Sequence, residues 1–164
     1  NQALPEFIYD SLNLTSLQVK SRINAAYYLT LLPRLIFHQR FIGAALVNDQ
    51  LFNNEAYRIG GLKTLRGFNE ESINASTYAI GRSELRYQIE RNGYVFLLFD
   101  QARYENSSLN KFGAKRDTPK SIGVGITLGT KAGIFSLASA IGSEQGNPFL
   151  LRAAKFHFGF LSVF

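Results

Sequence analysis

The chain contains no cysteine. That excludes a disulfide framework, a thiol nucleophile and any cysteine-based metal site. Nor does it contain an apolar run of about 18 residues, the length that a membrane-crossing helix of ordinary size needs. It begins "NQALPEFIYD", without an initiating methionine, a basic leader or an apolar leader core, so the expectation is a mature chain or a fragment of one. Charge is not gathered either. Eighteen Lys and Arg against twelve Asp and Glu leave a net +6, set mostly one at a time, with "KFGAKRDTPK" at 111–120 the densest cluster. Nucleic-acid binders concentrate basic charge on one patch and interleave it with aromatics, so nucleic acid is not an expected partner. The length of 164 residues suits one domain.

A catalytic constellation is missing too. The two histidines, His38 and His157, lie far apart in sequence and fall on polar faces, which suits a solvated or hydrogen-bonded role. "GITLGTKAG" has the glycines of a phosphate loop, but they recur inside an alternating pattern and no helix follows. No serine sits in a strand-turn-helix context. The expectation is no enzyme, no cofactor and no metal.

What the sequence does hold is alternation. Leu17, Val19, Ile23, Ala25, Tyr27 and Leu29 share one side of a run whose other side carries Gln18, Lys20, Arg22, Asn24, Tyr28 and Thr30. Period two over more than ten residues is a half-buried strand, not a helix. "LLPR" turns the chain. Leu35, Phe37, Phe41, Ala45 and Val47 then oppose His38 and Arg40. Beyond a long connection, Ala79, Gly81, Leu85, Tyr87 and Ile89 alternate with Arg82, Glu84, Arg86, Gln88 and Glu90. "RNG" gives a hairpin turn. Val95, Leu97 and Phe99 then oppose Phe96, Leu98 and Asp100, and Ile122, Val124, Ile126 and Leu128 alternate with glycines and hydroxyls. "KAGIFSLASAIG" and "PFLLRAAKFHFGFLSVF" complete seven strands, with "EFIYDSL" at 6–12 a candidate eighth.

These runs are longer than ordinary strands and their polar faces are charged, so the pattern predicts an all-β antiparallel barrel. With apolar faces inward it would be a soluble lipid-binding barrel; with them outward it would meet a bilayer. Strand length suits a tilted bilayer crossing of about 9–11 residues. Tyr27, Phe37, Tyr87, Tyr94 and Phe164 near segment ends suit an aromatic girdle. Both favour the outward choice. On the last strand Phe156, Phe158, Phe160 and Phe164 share a face, which resembles the C-terminal pattern of bacterial outer-membrane barrels.

The connection at 48–76 carries "RIGGLKTLRGF". Gly60-Gly61 permits a turn closed to other residues, and Gly67 frees the backbone beside Arg66. Arg66, flanked by Leu65 and Phe68, suits a loop folded back with its guanidinium aimed at a fixed acid. Glu84 and Asp100, on the two strands that follow, are the candidate acids. The alternative is a solvated surface arginine beside turn glycines.

"RIGGLKTLRGF", with "SELRYQIE", "VFLLFDQARYE", "GVGITLGTKAGIFSLASAIG" and a last strand ending in Phe, resembles the outer-membrane assembly-factor superfamily. This is the superfamily of BamA, TamA and the two-partner secretion transporters, and the likeness is to its C-terminal "bacterial surface antigen" barrel. It runs from about Asn13 to the terminus, and the loop motif is its most specific part. The resemblance implies a loop inside the barrel lumen, with Arg66, Gly67 and Phe68 at its tip and Glu84 and Asp100 as partners of Arg66. It also implies that Gly159 weakens the pairing of the last strand at a mobile seam. Sixteen strands and periplasmic POTRA repeats are usual in the family, and neither the repeats nor the first half of the barrel stands in this sequence.

The expectation is therefore a transmembrane antiparallel β-barrel over 1–164, either eight-stranded or the C-terminal half of a sixteen-stranded one, with the half favoured because the loop needs a lumen. It would sit in the outer membrane of a Gram-negative-type bacterium, among outer-membrane lipid, and assist insertion or secretion of client β-barrel or secreted proteins. POTRA domains or accessory subunits are the further expected partners. A passive or structural barrel, and a barrel that anchors or exports an enzyme domain, are the alternatives.

Overall fold

Alternation carries each long run into a strand, and two-residue turns fold neighbours back on one another. The computed structural model describes residues 18–48, 51, 54–107 and 114–162. In order these are β1 (Val19–Leu32), β2 (Leu35–Val47), the short β3 (Tyr57–Ile59) and β4 (Ile73–Ala75), β5 (Thr77–Glu90) and β6 (Gly93–Asn106). The short β7 (Lys115–Asp117), then β8 (Lys120–Thr130), β9 (Gly133–Ser143) and β10 (Lys155–Ser162) follow. The sheet is antiparallel throughout, in the order β1-β2-β5-β6-β8-β9-β10, and β7 adds to β6 as its eighth member. β3 and β4 pair separately as a two-stranded ribbon inside the 48–76 connection. Among the described residues no helix is long and apolar enough to cross a membrane.

The connections are sorted by length. Pro33-Arg34, Arg91-Asn92 and Lys131-Ala132 turn the chain at one end of the sheet, while the segments 48–76, 107–119 and 144–154 all cross at the other. The first and last strands of the sheet, β1 and β10, each pair on one side only, and no ladder joins them among the described residues. The closed barrel expected from the pattern is thus present as an open, antiparallel all-β sheet. "EFIYDSL" and Phe164 lie outside the described residues.

Burial is inverted relative to a soluble sheet. On the outer face Leu97, Ile122, Val124, Leu137, Phe156 and Phe158 are exposed, Phe156 to 77%. On the inner face His38, Arg82, Glu84, Asp100, Ser121 and His157 are buried. The inner face is buried because residues 54–76 of the connection lie across it. They include Ile59, Leu65, Phe68, Ile73 and Ala75, and these pack on Ile42, Ala44, Tyr78, Ile80, Ala102 and Tyr104 of the sheet. Burying each large apolar side chain contributes roughly 1.5–3 kcal/mol. The expected charged wall is therefore charged only in part: toward the long connections it is apolar, because an apolar loop needs an apolar seat.

Three other details differ from the sequence pattern. Tyr94 belongs to the inner face, where it packs on a cluster of Phe96, Leu98, Ala138 and Ala140, and so stands in no outer girdle. Its even position in β6 puts it on the same side as Asp100. The last run is not one strand, since a single 3₁₀ turn at Leu151–Ala153 precedes β10. β1 is exposed along its whole length on both faces, although Tyr57 of the loop reaches it, donating to the Ser21 carbonyl at 3.4 Å with its ring beside the Arg22 guanidinium.

Candidate functional site

The "RIGGLKTLRGF" segment is knitted by its own backbone before it touches the sheet. Gly60 and Gly61 adopt φ of 120° and 88°, a region that side-chain-bearing residues rarely enter. The Gly61 amide donates to the Leu65 carbonyl at 2.9 Å. The Thr64 hydroxyl accepts from the Gly60 amide and donates to the Gly60 carbonyl, each at 2.8 Å. A tight turn results, and it delivers Arg66 to the inner face as the chain leaves it. Gly67, at φ 82°, then bends the chain away.

Arg66 is 1% exposed, and the structure gives it both candidate acids at once. Its Nε donates to Asp100 Oδ2 at 2.8 Å and its Nη2 to Asp100 Oδ1 at 2.6 Å, a bidentate clasp. Its backbone amide adds a third bond to Asp100 Oδ2 at 3.1 Å. Its Nη1 donates to Glu84 Oε1. Fork geometry explains the choice of arginine, since its N–H groups spread in one plane and reach two carboxylates that a lysine ammonium could serve only as a point charge. Burial acts most strongly on Arg66 and works to lower its pKa. The hydrogen bonds and charges of Asp100 and Glu84 outweigh that and hold it above its ordinary value.

The acids have further cations. Arg86 donates to Glu84 Oε2 at 2.7 Å through Nε, and its Nη2 lies 2.9 Å from His38 Nδ1. Its guanidinium stands 4.6 Å from the Tyr94 ring centroid and 5.5 Å from that of Tyr28. Arg82 lies 3.9 Å from each carboxylate and donates to the Lys63 carbonyl at 2.9 Å, so a wall cation also holds the loop backbone. Alternation brings these groups together: Arg82, Glu84 and Arg86 are successive inward positions of β5, and Arg82 pairs with Asp100 of β6.

The tip rests on a floor of small residues. A side chain on Gly67 would meet backbone atoms of Ile141 and Gly142 and the Cβ of Ser121 at 2.9–3.0 Å. One on Gly142 would meet the Gly67 carbonyl and the Phe68 ring. Gly159 has a comparable place: its bare Cα is covered by Leu62 of the loop, so the structure gives it a packing role. Phe156, Phe158 and Phe160 point outward from the same strand.

Gly60, Gly61, Leu65, Arg66, Gly67, Phe68, Glu84 and Asp100 are thus brought into one assembly, and Gly159 touches it through Leu62. His157, which the sequence pattern assigned only a solvated or hydrogen-bonded place, belongs there as well: its Nε2 accepts from the Gly67 amide at 3.0 Å. Arg82, Arg86, Ser121 and Gly142 were likewise not singled out. The available signal was the inward parity of all five, together with the run of glycines and hydroxyls facing inward on β8. The members are engaged with one another, so the arrangement holds a loop at a fixed place on the inner face. Among the described residues no group of three or more His, Asp or Glu side chains stands close enough to hold a metal ion.

Fold and site together define an antiparallel all-β chain, apolar on its outer face, whose inner face is partly covered by its own arginine-clasped loop. A comparison with protein-family models gives no match for this chain, and one with curated proteins gives none either.

Proposed function

We propose that this chain is the membrane-embedded part of a transmembrane β-barrel, contributing the C-terminal half of a larger barrel or a small barrel of its own, in a Gram-negative-type outer membrane. Its role is that of the assembly-factor superfamily: to assist insertion or secretion of client proteins, with the Arg66 loop bracing the lumen. One observation carries the reading. Exposed aliphatic and aromatic side chains cover the outer face, while a network of buried charges and a folded loop occupy the inner one. Lipid on the outer face removes the cost of that exposure. The sorting of two-residue turns to one end and long connections to the other supports it, since outer-membrane barrels have short periplasmic turns and longer outer loops. So do the clasp of Arg66 and the outer edges of β1 and β10, which pair with no strand among the described residues and would be taken up by further strands of the barrel.

The test uses the full-length protein that carries this chain, reconstituted in vesicles. Spin labels at Leu97 and Val124 are expected to be accessible to oxygen dissolved in lipid, and a label at Arg22 on the inner face of β1 to a water-soluble relaxation agent. The reverse pattern overturns the membrane reading. Folding of an unfolded client barrel added to the same vesicles is expected to be faster than in empty ones. Equal rates leave a passive barrel.

A further inference from the structure

β10 is an edge strand held by a single ladder, eight rungs from Lys155 to Ser162 against β9, with nothing described along its other side. Edge strands so placed are prone to fray or to exchange partners. Its inward residues, however, do not face empty space. Two of them, His157 and Gly159, touch the loop that Arg66 anchors to β6.

The geometry at the tip is specific. The amide of Arg66 donates to Asp100 on β6, and the next amide, that of Gly67, donates to His157 on β10. Two consecutive N–H groups thus bridge strands separated by β8 and β9 in the sheet. Three strand spacings of about 4.8 Å would set β6 and β10 roughly 14 Å apart in a flat sheet. A single dipeptide links their side chains because the sheet curls around it. His157 is 8% exposed and its Nε2 is the acceptor, which places the ring proton on Nδ1. Leu62 fills the space over Gly159, two residues along the same inner face. The edge strand therefore has a second attachment, at right angles to its ladder.

We propose that His157 is a positioning residue that fastens the edge strand β10 to the lumen loop, so that the strand cannot leave β9 while the Arg66-Gly67 tip is seated. The inference rests on the loop's acting as a brace, and it adds the element being braced. Release of the Gly67 side of the tip and release of the strand are then one event, while Arg66 stays on Asp100: opening the Gly67 to His157 bond frees β10, and fraying of β10 withdraws the acceptor from Gly67.

Amide hydrogen exchange on the full-length protein in detergent micelles tests this without requiring a bilayer or a client, so its failure is separate from failure of the vesicle experiment. In His157→Leu the amide of Gly67 and the β10 amides bonded to β9 are expected to exchange about tenfold faster than in wild type. The Arg66 amide, held by Asp100, and the β5–β6 ladder are expected to stay protected. His157→Gln supplies an acceptor oxygen near the place of Nε2 and is expected to restore slow exchange at both places, which mere loss of packing would not predict. Unchanged β10 exchange in His157→Leu overturns the proposal. So does acceleration at Gly67 alone, or a failure of His157→Gln to restore β10.

Discussion

Arg66 is buried with two carboxylates, and removing it would leave both in a place with little water. Breaking a buried pair by deleting one partner costs about 3–5 kcal/mol, because the remaining charge is uncompensated. Arg66→Ala is therefore expected to lower the unfolding free energy by about that amount, measured by urea titration in detergent. Arg66→Lys keeps the charge and loses the bidentate clasp on Asp100, so it is expected to recover only part of the loss. Equal stability of all three proteins would contradict the clasp. The arginine and its acids are legible in sequence because each breaks a local expectation: a lone cation between glycines, and acids at inward positions of strands. His157 was not legible in the same way. Its partner is a backbone amide ninety residues away, and a backbone donor leaves no mark in the sequence.

At the scale of the element, β8 and β9 form the seat of the loop. Their inward positions are Ser121, Gly123 and Gly125, then Ala138, Ala140 and Gly142, while Ile122, Val124, Ile126, Leu137 and Ile141 point outward. Alternation of small with large residues showed that these segments are strands. It did not show what the small side faces, because that requires knowing that a loop from β2 lands there. Gly142→Leu is expected to lift the tip, since the new side chain would enter the space of the Phe68 ring and the Gly67 carbonyl. Overpacking of this kind costs about 1–3 kcal/mol. Limited trypsin digestion reads it as faster cleavage at Arg58 or Lys63 of the loop. Gly43→Ala on β2, where a Cβ would have an ordinary contact at 3.6 Å, is the control and is expected to cleave as wild type.

Across the molecule, the seven long strands and the turns at "LLPR" and "RNG" followed from period two, except that the last strand begins only at Lys155, and the short β3, β4 and β7 did not follow from it. The apolar half of the inner wall did not follow, because Ile42, Ala44, Ile80 and Ala102 read as ordinary members of alternating runs until the loop is placed against them. The exposed outer face sets the behaviour of the whole chain. Apolar patches larger than a few hundred Å² are rare on soluble monomers, and this one spans adjacent strands and ends on two edges that are unpaired among the described residues. Stripped of detergent, the protein is expected to aggregate, whereas in micelles it is expected to elute as one species; light scattering coupled to gel filtration distinguishes the two. A monodisperse protein in plain buffer would contradict the outward orientation of that face.

The loop leaves and re-enters the sheet between neighbours. β2 and β5 pair from Leu35 with Tyr87 to Ala45 with Thr77 as though residues 48–76 were a simple hairpin turn, and Leu46 donates to the Ser76 carbonyl where the strands part. Lengthening a connection adds little to the entropy of closing it. The order of assembly is therefore open to the chain: the hairpins can zip together in sequence, and the loop can be stowed afterwards as a cargo the wall was shaped to receive.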